Sequence, residues 1–240
     1  MRTAKKTERV LQLNMTDPAE STLVIIPAYN EERNIGGVVH DVVSLGFHVL
    51  VVDDGSADTT EKAARDAGAS VIVLKKNSGK GAAMRKGFAF ACEGGYDTVA
   101  VMDGDGQHKA EELPDLLAAM KKHKCDIVLG SRMHNSSAMP FVRRMTNRVT
   151  SRIVSLFART RLSDSQSGFR LLRTEVLKNI ALTTSRYDTE SEMLIRAGRK
   201  KYLIREVPVS TIYGAGEKSS IRPLIDTFRF IKMIIKCFIS

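Results

Sequence analysis

The chain has no tryptophan, 6% aromatic residues and three cysteines in 240 residues. Cys92, Cys125 and Cys237 are far apart and odd in number, which fits neither a disulfide framework nor a zinc site and makes a reducing, cytosolic setting the default. Charge interrupts every apolar stretch well before the eighteen or so residues that a membrane-spanning helix needs. Residues 1–20 carry Lys5, Lys6 and Arg9 but lack the apolar core of a signal peptide, so they are expected to form a mobile or surface-lying arm. There is no internal repeat, low-complexity tract or proline-rich linker.

What is abundant is positive charge, with 37 Lys and Arg against 27 Asp and Glu, a net charge of +10. That excess implies a polyanionic partner: nucleic acid, an anionic membrane surface or a phosphorylated substrate. The shortage of aromatics counts against nucleic acid, which needs stacking platforms. A hydrophobic content of 43% and a charged content of 27% are those of an ordinary globular chain, long enough to bury a sizeable core.

Short apolar runs at 23–27, 48–53, 70–75, 98–103 and 126–132 read as buried strands. Helical patterns fall between them at about 31–44, 59–67, 80–93 and 111–123. Such alternation predicts an α/β fold with a mostly parallel sheet and helices on both faces. Beyond residue 132 come a basic helical stretch, a loop rich in glycine and serine, further helix and strand, and an amphipathic tail.

The run Val99-Ala100-Val101-Met102 delivers Asp103, Asp105 and Gln107 in the spacing D-x-D-x-Q. At a strand's C-terminal end, residues two apart point the same way, so three oxygen ligands can converge on one hard divalent cation. The plainer reading is a polar turn. A second strand, Val49-Leu50-Val51-Val52, runs into Asp53-Asp54-Gly55-Ser56. In open α/β sheets ligands sit outside the carboxyl ends of the strands, so Asp53 and Asp54 could take donor groups of a base or ribose. Capping of the next helix by Asp54 and Ser56 is the alternative. His108 could be a fourth partner of such a cation, but a histidine beside a polar turn reads more readily as a solvated or capping residue.

In series these motifs resemble those of family 2 glycosyltransferases with the GT-A (nucleotide-diphospho-sugar transferase) fold, most closely the dolichyl- or polyprenyl-phosphate sugar synthases. The matching segments are Ile26-Pro27-Ala28-Tyr29-Asn30-Glu31, Val52-Asp53-Asp54-Gly55-Ser56, Asn77-Ser78-Gly79-Lys80-Gly81, Met102-Asp103-Gly104-Asp105-Gly106-Gln107-His108, Gly130-Ser131-Arg132 and Asp164-Ser165-Gln166-Ser167-Gly168-Phe169-Arg170. The resemblance implies that Pro27, Tyr29, Glu31 and Asp53 line the nucleotide pocket, with Asp54 at the same end. It implies that Lys80 lies on the nucleotide side, where a helix N-terminus also favours phosphate and Gly79 and Gly81 allow close backbone approach. Asp103, Asp105 and Gln107 would hold Mg²⁺ or Mn²⁺ on the diphosphate, making Asp105 central to catalysis. Arg132 would lie near an acceptor phosphate. The segment Tyr213-Gly214-Ala215-Gly216-Glu217-Lys218-Ser219-Ser220 departs from the family's usual turn, but keeps Lys218 for the donor and Ser219 for acceptor phosphate. The roles of Glu190 and Glu192 stay open.

The implied reaction is inverting, metal-dependent transfer from a UDP- or GDP-sugar to a polyprenyl or dolichyl phosphate at the cytosolic face of a membrane, with no nucleic acid involved. Transfer to a hydroxyl of a glycan or another lipid is the alternative. That acceptor would require a positioned carboxylate, for which Glu190 is the candidate. In the basic stretch, Arg144, Arg148, Arg152 and Arg159 share one helical face, with Met145, Val149, Ile153 and Leu156 on a neighbouring one. Arg144 and Arg148 are thus candidates for gripping a phosphate head group at an anionic membrane, against the alternative of a solvated helix packed on its own core. The tail sets Arg222, Asp226, Arg229, Lys232 and Lys236 in one stripe against an otherwise apolar surface, which predicts a peripheral, in-plane helix. Packing of the tail on the catalytic domain or on a second subunit is the other reading, and a membrane-protein partner or a homo-oligomer stays open. The expected organisation is an arm at 1–20, a GT-A domain at 21–220 (nucleotide-sugar half 21–132, acceptor half 133–220) and the amphipathic helix at 221–240.

Overall fold

The computed structural model describes residues 19, 21–135, 139–186, 188–212 and 230–237. Strands β1 (Thr22–Ala28), β2 (His48–Asp53), β3 (Ser70–Val73), β4 (Thr98–Val101) and β5 (Ile127–Ser131) alternate with helices α1 (Ile35–Ser44), α2 (Thr60–Asp66), α3 (Lys80–Glu93) and α4 (Leu113–His123). The second half adds α5 (Phe141–Ala158), β6 (Arg170–Arg173), α6 (Thr174–Asn179), α7 (Asp188–Arg199) and β7 (Ile204–Pro208), and residues 230–237 are helical.

Helix α1 starts four residues later than its periodicity predicts, because neighbouring side chains hold the preceding loop. The Asn30 amide donates to Ser56 Oγ (2.9 Å) and the Glu31 amide to Thr60 Oγ1 (2.8 Å), while Asn30 Oδ1 accepts from the Ala57 amide (2.9 Å). The β1–α1 and β2–α2 loops are thereby fastened together at the carboxyl ends of two adjacent strands.

The sheet has the order β3-β2-β1-β4-β6-β5-β7. Strands β1 to β4 run parallel, β6 is antiparallel to both β4 and β5, and β7 is parallel to β5. Four residues from the second half thus separate β4 from β5, so the two halves share one sheet. In β6, Leu171 and Leu172 are both fully buried and pack into opposite faces. Successive residues of the central strands point to opposite faces of the sheet, and both faces are covered. Leu23, Ile25, Leu50 and Val52 meet α3, α5, α6 and α7, whereas Val24, Ile26, Val49 and Val51 meet α1, α2 and α4. Met233 and Cys237 join the first of these clusters. Because β6 reverses once between β4 and β5, strands β1, β2, β4 and β5 all end at the same sheet edge. The loop leading into β6 lies there as well.

Candidate active site

Along that edge, Ala28 is in register with Asp53. Pro27 is buried within β1, whereas Tyr29 beyond it is 46% exposed and half-buried Glu31 follows. Asp53 is buried and its Oδ1 accepts from the amide (2.8 Å) and hydroxyl (2.6 Å) of Ser56, which fixes the turn after β2. The carboxylate of buried Asp54 accepts from the amides of Ser78 and Gly79, both at 2.7 Å. Asp54 therefore anchors the turn that opens α3, rather than capping the helix that follows it in sequence.

That turn carries Lys80. Its Nζ lies 2.5 Å from Asp103 Oδ1 and 2.8 Å from Glu190 Oε1, with the side chain 17% exposed. Burial alone would lower the Lys80 pKa, but Asp103 and Glu190 outweigh it and hold the ammonium above its ordinary value. Burial likewise pushes Asp103 up, yet Lys80 and His108 leave it well below the usual carboxylate range. Asp105 goes the other way, raised by burial and by the negative charge of Asp103. Glu31 is raised by burial and, more weakly, by Asp105, Asp58 and Asp103, which brings the ends of β1 and β4 into one negative field.

This field suits a divalent cation. Among the described residues no group of three or more His, Cys, Asp or Glu side chains is arranged to hold a metal. The donor set at the end of β4 instead has two carboxylates, Asp103 and Asp105, and the carboxamide of Gln107, all oxygen donors of the kind Mg²⁺ and Mn²⁺ prefer. A dication would relieve the repulsion that raises Asp105. The Gln107 amide donates to Asp105 Oδ1 at 3.0 Å and the Gln107 carbonyl accepts from Ile212 at 3.0 Å, so the β4–α4 loop is held on both sides.

Other parts of the site take their roles from contacts that only the fold makes. His108 is buried, its Nε2 lies 3.5 Å from Asp103 Oδ2, and its ring stacks at a tilt on Phe169 with centroids 5.2 Å apart. It is a partner of the acidic cluster, not a solvated cap. Arg170 is fully buried. It donates through Nη2 to the Ser167 carbonyl and through Nη1 to the Glu190 carbonyl (3.2 Å), and Nη2 lies 3.8 Å from Glu190 Oε1. Glu190 is thus flanked by two cations. Glu192 is buried and accepts from the amides and hydroxyls of Thr183 and Thr184 and from Arg196 Nε. Burial raises its pKa, but these donors outweigh it and leave it lowered.

By this hub Glu192 shapes the segment before α7, which lies against the start of α3. A Cβ at Gly79 would collide with the Ser185 carbonyl, and one at Gly81 with the Thr189 hydroxyl. The two glycines therefore admit Ser185, Arg186 and Thr189 of the chain itself. The Ser185 carbonyl also accepts from the Ala82 amide (3.1 Å) in the first turn of α3.

Arg132 follows β5, 7% exposed, and its guanidinium grips Asp164 through Nε (2.8 Å to Oδ2) and Nη2 (2.9 Å to Oδ1). Asp164 also accepts from the Arg132 amide (2.9 Å) and Asn147 Nδ2 (2.7 Å). Burial raises the Asp164 pKa, but Arg132 more than reverses this and holds it low. The 164–170 loop is the keystone of this edge. It fastens Arg132 through Asp164, seats Gly168 so close to the Asp103 carboxylate that a Cβ would collide with it, and sends Arg170 under Glu190.

Helix α5 packs inward through a stripe that is half polar and leaves most of its large apolar residues exposed. Asn147, Ser151, Val154 and Ala158 are buried, with Ser151 bonded to Asn147 and Ser165. Met145, Val149 and Leu156 are 41%, 51% and 72% exposed, and Phe141 and Val142 still more so. Arg148 and Arg152 are exposed among them, and Arg144 lies over the Phe141 ring at 5.7 Å with its buried Nε unpartnered. Small hydroxyl and amide side chains made this buried stripe invisible to a hydrophobic pattern. Lys218, Ser219, the arm at 1–18 and the tail at 213–229 lie outside the described residues.

A mixed sheet whose parallel strands end in acidic pairs at one edge, with oxygen donors after β4 and a lysine from the start of α3, is the architecture of a GT-A glycosyltransferase. Glucosyl-3-phosphoglycerate synthase of Mycobacterium tuberculosis, in its complex with Mn²⁺, UDP-glucose and phosphoglyceric acid, has the same fold, with a TM-score of 0.70 at 20% identity over 90% of this chain and 79% of that one. The chain matches glycosyl transferase family 2 over residues 23–181 and belongs to that family, and the protein is a glycosyltransferase. It is 34% identical over 213 residues to UDP-N-acetylglucosamine--dolichyl-phosphate N-acetylglucosaminyltransferase of Methanococcus voltae, covering 79% of this chain and 85% of that one. It is also 34% identical over 204 residues to undecaprenyl-phosphate mannosyltransferase of Micrococcus luteus, covering 79% and 83%.

Proposed function

We propose that the protein transfers one sugar, with inversion, from a UDP- or GDP-linked donor to a polyprenyl or dolichyl phosphate at the cytosolic face of a membrane. The observation that carries the choice of acceptor is the state of Glu190. A hydroxyl acceptor needs a carboxylate able to take its proton, and Glu190 is committed to Lys80 and Arg170. A phosphate acceptor is already anionic near neutral pH, its second pKa being about 6, and needs no base. The names of the Methanococcus and Micrococcus relatives support the same acceptor class.

In this reading Pro27, Tyr29, Glu31 and Asp53 receive the base and ribose, while Asp54 holds the turn that presents Lys80. Asp103, Asp105 and Gln107 would hold Mg²⁺ or Mn²⁺, whose chemistry is Lewis-acid neutralisation of the departing diphosphate. Lys80 adds a positive charge on the donor side. Arg132, oriented by Asp164, and Arg144 and Arg148 of α5 would position the incoming phosphate, so that catalysis reduces to alignment and charge. Ile212 is bonded to Gln107, and Lys218 and Ser219 follow six and seven residues later, within about 20–25 Å of extended chain.

Membrane contact would be peripheral. No helix among the described residues is long and apolar enough to cross a bilayer. The exposed Phe141, Val142, Met145, Val149 and Leu156 alternate with arginines on α5. In the tail, Ile231 and Ile235 are 51% and 53% exposed beside exposed Lys232 and Lys236. Such surfaces suit an anionic interface. Met233 and Cys237 meanwhile seat the tail on the domain, so its two expected roles are compatible.

The test pairs UDP-glucose, UDP-N-acetylglucosamine and GDP-mannose with a short polyprenyl phosphate and a divalent cation. One donor is expected to give a solvent-extractable glycolipid that mild acid cleaves. An acid-stable product formed only with a hydroxyl acceptor would overturn the proposal. Flotation of the full chain on anionic liposomes, reduced in a 1–220 truncation, is expected for membrane docking, and equal behaviour would refute it.

A further inference from the structure

We propose that Lys80 is an internal counter-cation of the acidic site, bridging Asp103 and Glu190 before ligands arrive and exchanging its place on Asp103 for a divalent cation as the donor's diphosphate draws it away. This rests on the reading of Asp103, Asp105 and Gln107 as metal ligands.

Both oxygens of Asp103 have partners. Oδ1 meets Lys80 at 2.5 Å and Oδ2 faces His108 at 3.5 Å, while Gly168 closes the space behind the carboxylate. A cation that approaches Asp103 must therefore share or displace the ammonium. Asp105, by contrast, makes its hydrogen bond with an uncharged partner, the Gln107 amide. The acidic pair is thus divided, one member neutralised by Lys80 and the other left for an incoming charge.

Glu190 makes the exchange possible without expelling Lys80 from the site. It lies 2.8 Å from Nζ, is itself buried, and is backed by Arg170 at 3.8 Å. The ammonium can keep this second partner while it leaves Asp103, and a diphosphate would offer it a stronger one. Two consequences follow by linkage. Without nucleotide, Lys80 competes with the metal and weakens its binding. With nucleotide, Lys80 pairs with phosphate, the competition is lifted, and metal and donor bind with positive cooperativity.

The test measures Mn²⁺ affinity of the full chain from the paramagnetic resonance signal of free Mn²⁺, for the wild type, Lys80→Met, Lys80→Arg and Asp105→Ala, each alone, with UDP and with GDP. Without nucleotide, Lys80→Met is expected to bind Mn²⁺ about fivefold tighter than the wild type, the scale of removing one competing ion pair. Lys80→Arg, which keeps the charge, is expected to stay near the wild type. With the nucleotide that binds, the order of wild type and Lys80→Met is expected to reverse. General damage to the fold would weaken binding in both conditions and cannot produce this crossing. If Asp105→Ala loses Mn²⁺ while Lys80→Met binds it no tighter than the wild type, the role of Lys80 is overturned and the metal reading stands. If Mn²⁺ binding ignores Asp105→Ala, with and without nucleotide, both fall together.

Discussion

Replacing Asp164 by asparagine should be among the most damaging single changes outside the apolar core. Asp164 is fully buried and accepts four hydrogen bonds, three from Arg132 and one from Asn147. The Asn amide group would place a donor against the guanidinium and take the Asp164 charge away from a cation that is 8% exposed. Breaking one side of a buried pair costs about 3–5 kcal/mol. For a chain of this size that corresponds to a fall in Tm of roughly 6–20 °C. The pH dependence adds a second signature. The folded-state pKa of Asp164 lies below its ordinary value of 3.8, so its contribution is fully present above the unfolded pKa and is lost as pH falls through the folded one. The difference between the wild type and Asp164→Asn in urea unfolding should be constant from pH 5 to 8 and shrink in acid below about pH 4. A loss under about 1 kcal/mol, the value of an exposed pair, would refute the claim that this pair is buried and bidentate.

Gly81→Val should drive a side chain into Thr189 and the backbone of Ser185 and Arg186, costing about 1–3 kcal/mol by overpacking and weakening nucleotide binding through displaced Lys80, checked by thermal unfolding and UDP or GDP titration. Glu192→Gln should lower stability by about 1–3 kcal/mol near pH 7. Because the Glu192 pKa is lowered from 4.5, that penalty should fade as pH drops below the ordinary value, read by unfolding at several pH values. The Cys237 thiol, buried beside α7, is pushed up to about 11. With Cys92 and Cys125 replaced by serine and alanine, it should react with a thiol reagent at pH 8 about 100-fold more slowly than an ordinary cysteine, and rapid labelling would contradict the docked tail.

The parallel core and its acidic edge were legible because their signals are local. Val- and Ile-rich runs made β1, β2, β4 and β5 readable, and strand-terminal Asp53, Asp103 and Asp105 need only the pleat to be placed. What escaped depends on contacts across the chain. Strand β6 is four residues long and is recognisable only by its two neighbours. Asn147 and Ser151 face inward because Asp164 and Ser165 wait there, so polarity hid a buried stripe and the apolar residues of α5 became its exposed face. His108 and Arg170 stand in motifs that the sequence shows, but that His108 faces Asp103 and that Arg170 and Lys80 flank Glu190 follows only from the fold, as does the bonding of Glu192 to Thr183 and Thr184. Gly79 and Gly81 are legible as sites of close approach, but their contacts with Ser185, Arg186 and Thr189 depend on the fold.

The central claim is that an oxygen-ligated divalent cation at Asp105 serves sugar transfer to a lipid phosphate. Its most direct test is the transfer of labelled sugar to a short polyprenyl phosphate by the wild type and Asp105→Ala, with Mn²⁺, with Mg²⁺ and with a chelator. The account predicts an acid-labile glycolipid formed by the wild type with a cation and lost on chelation or in Asp105→Ala. Equal product with the chelator, or an unimpaired Asp105→Ala, would contradict it.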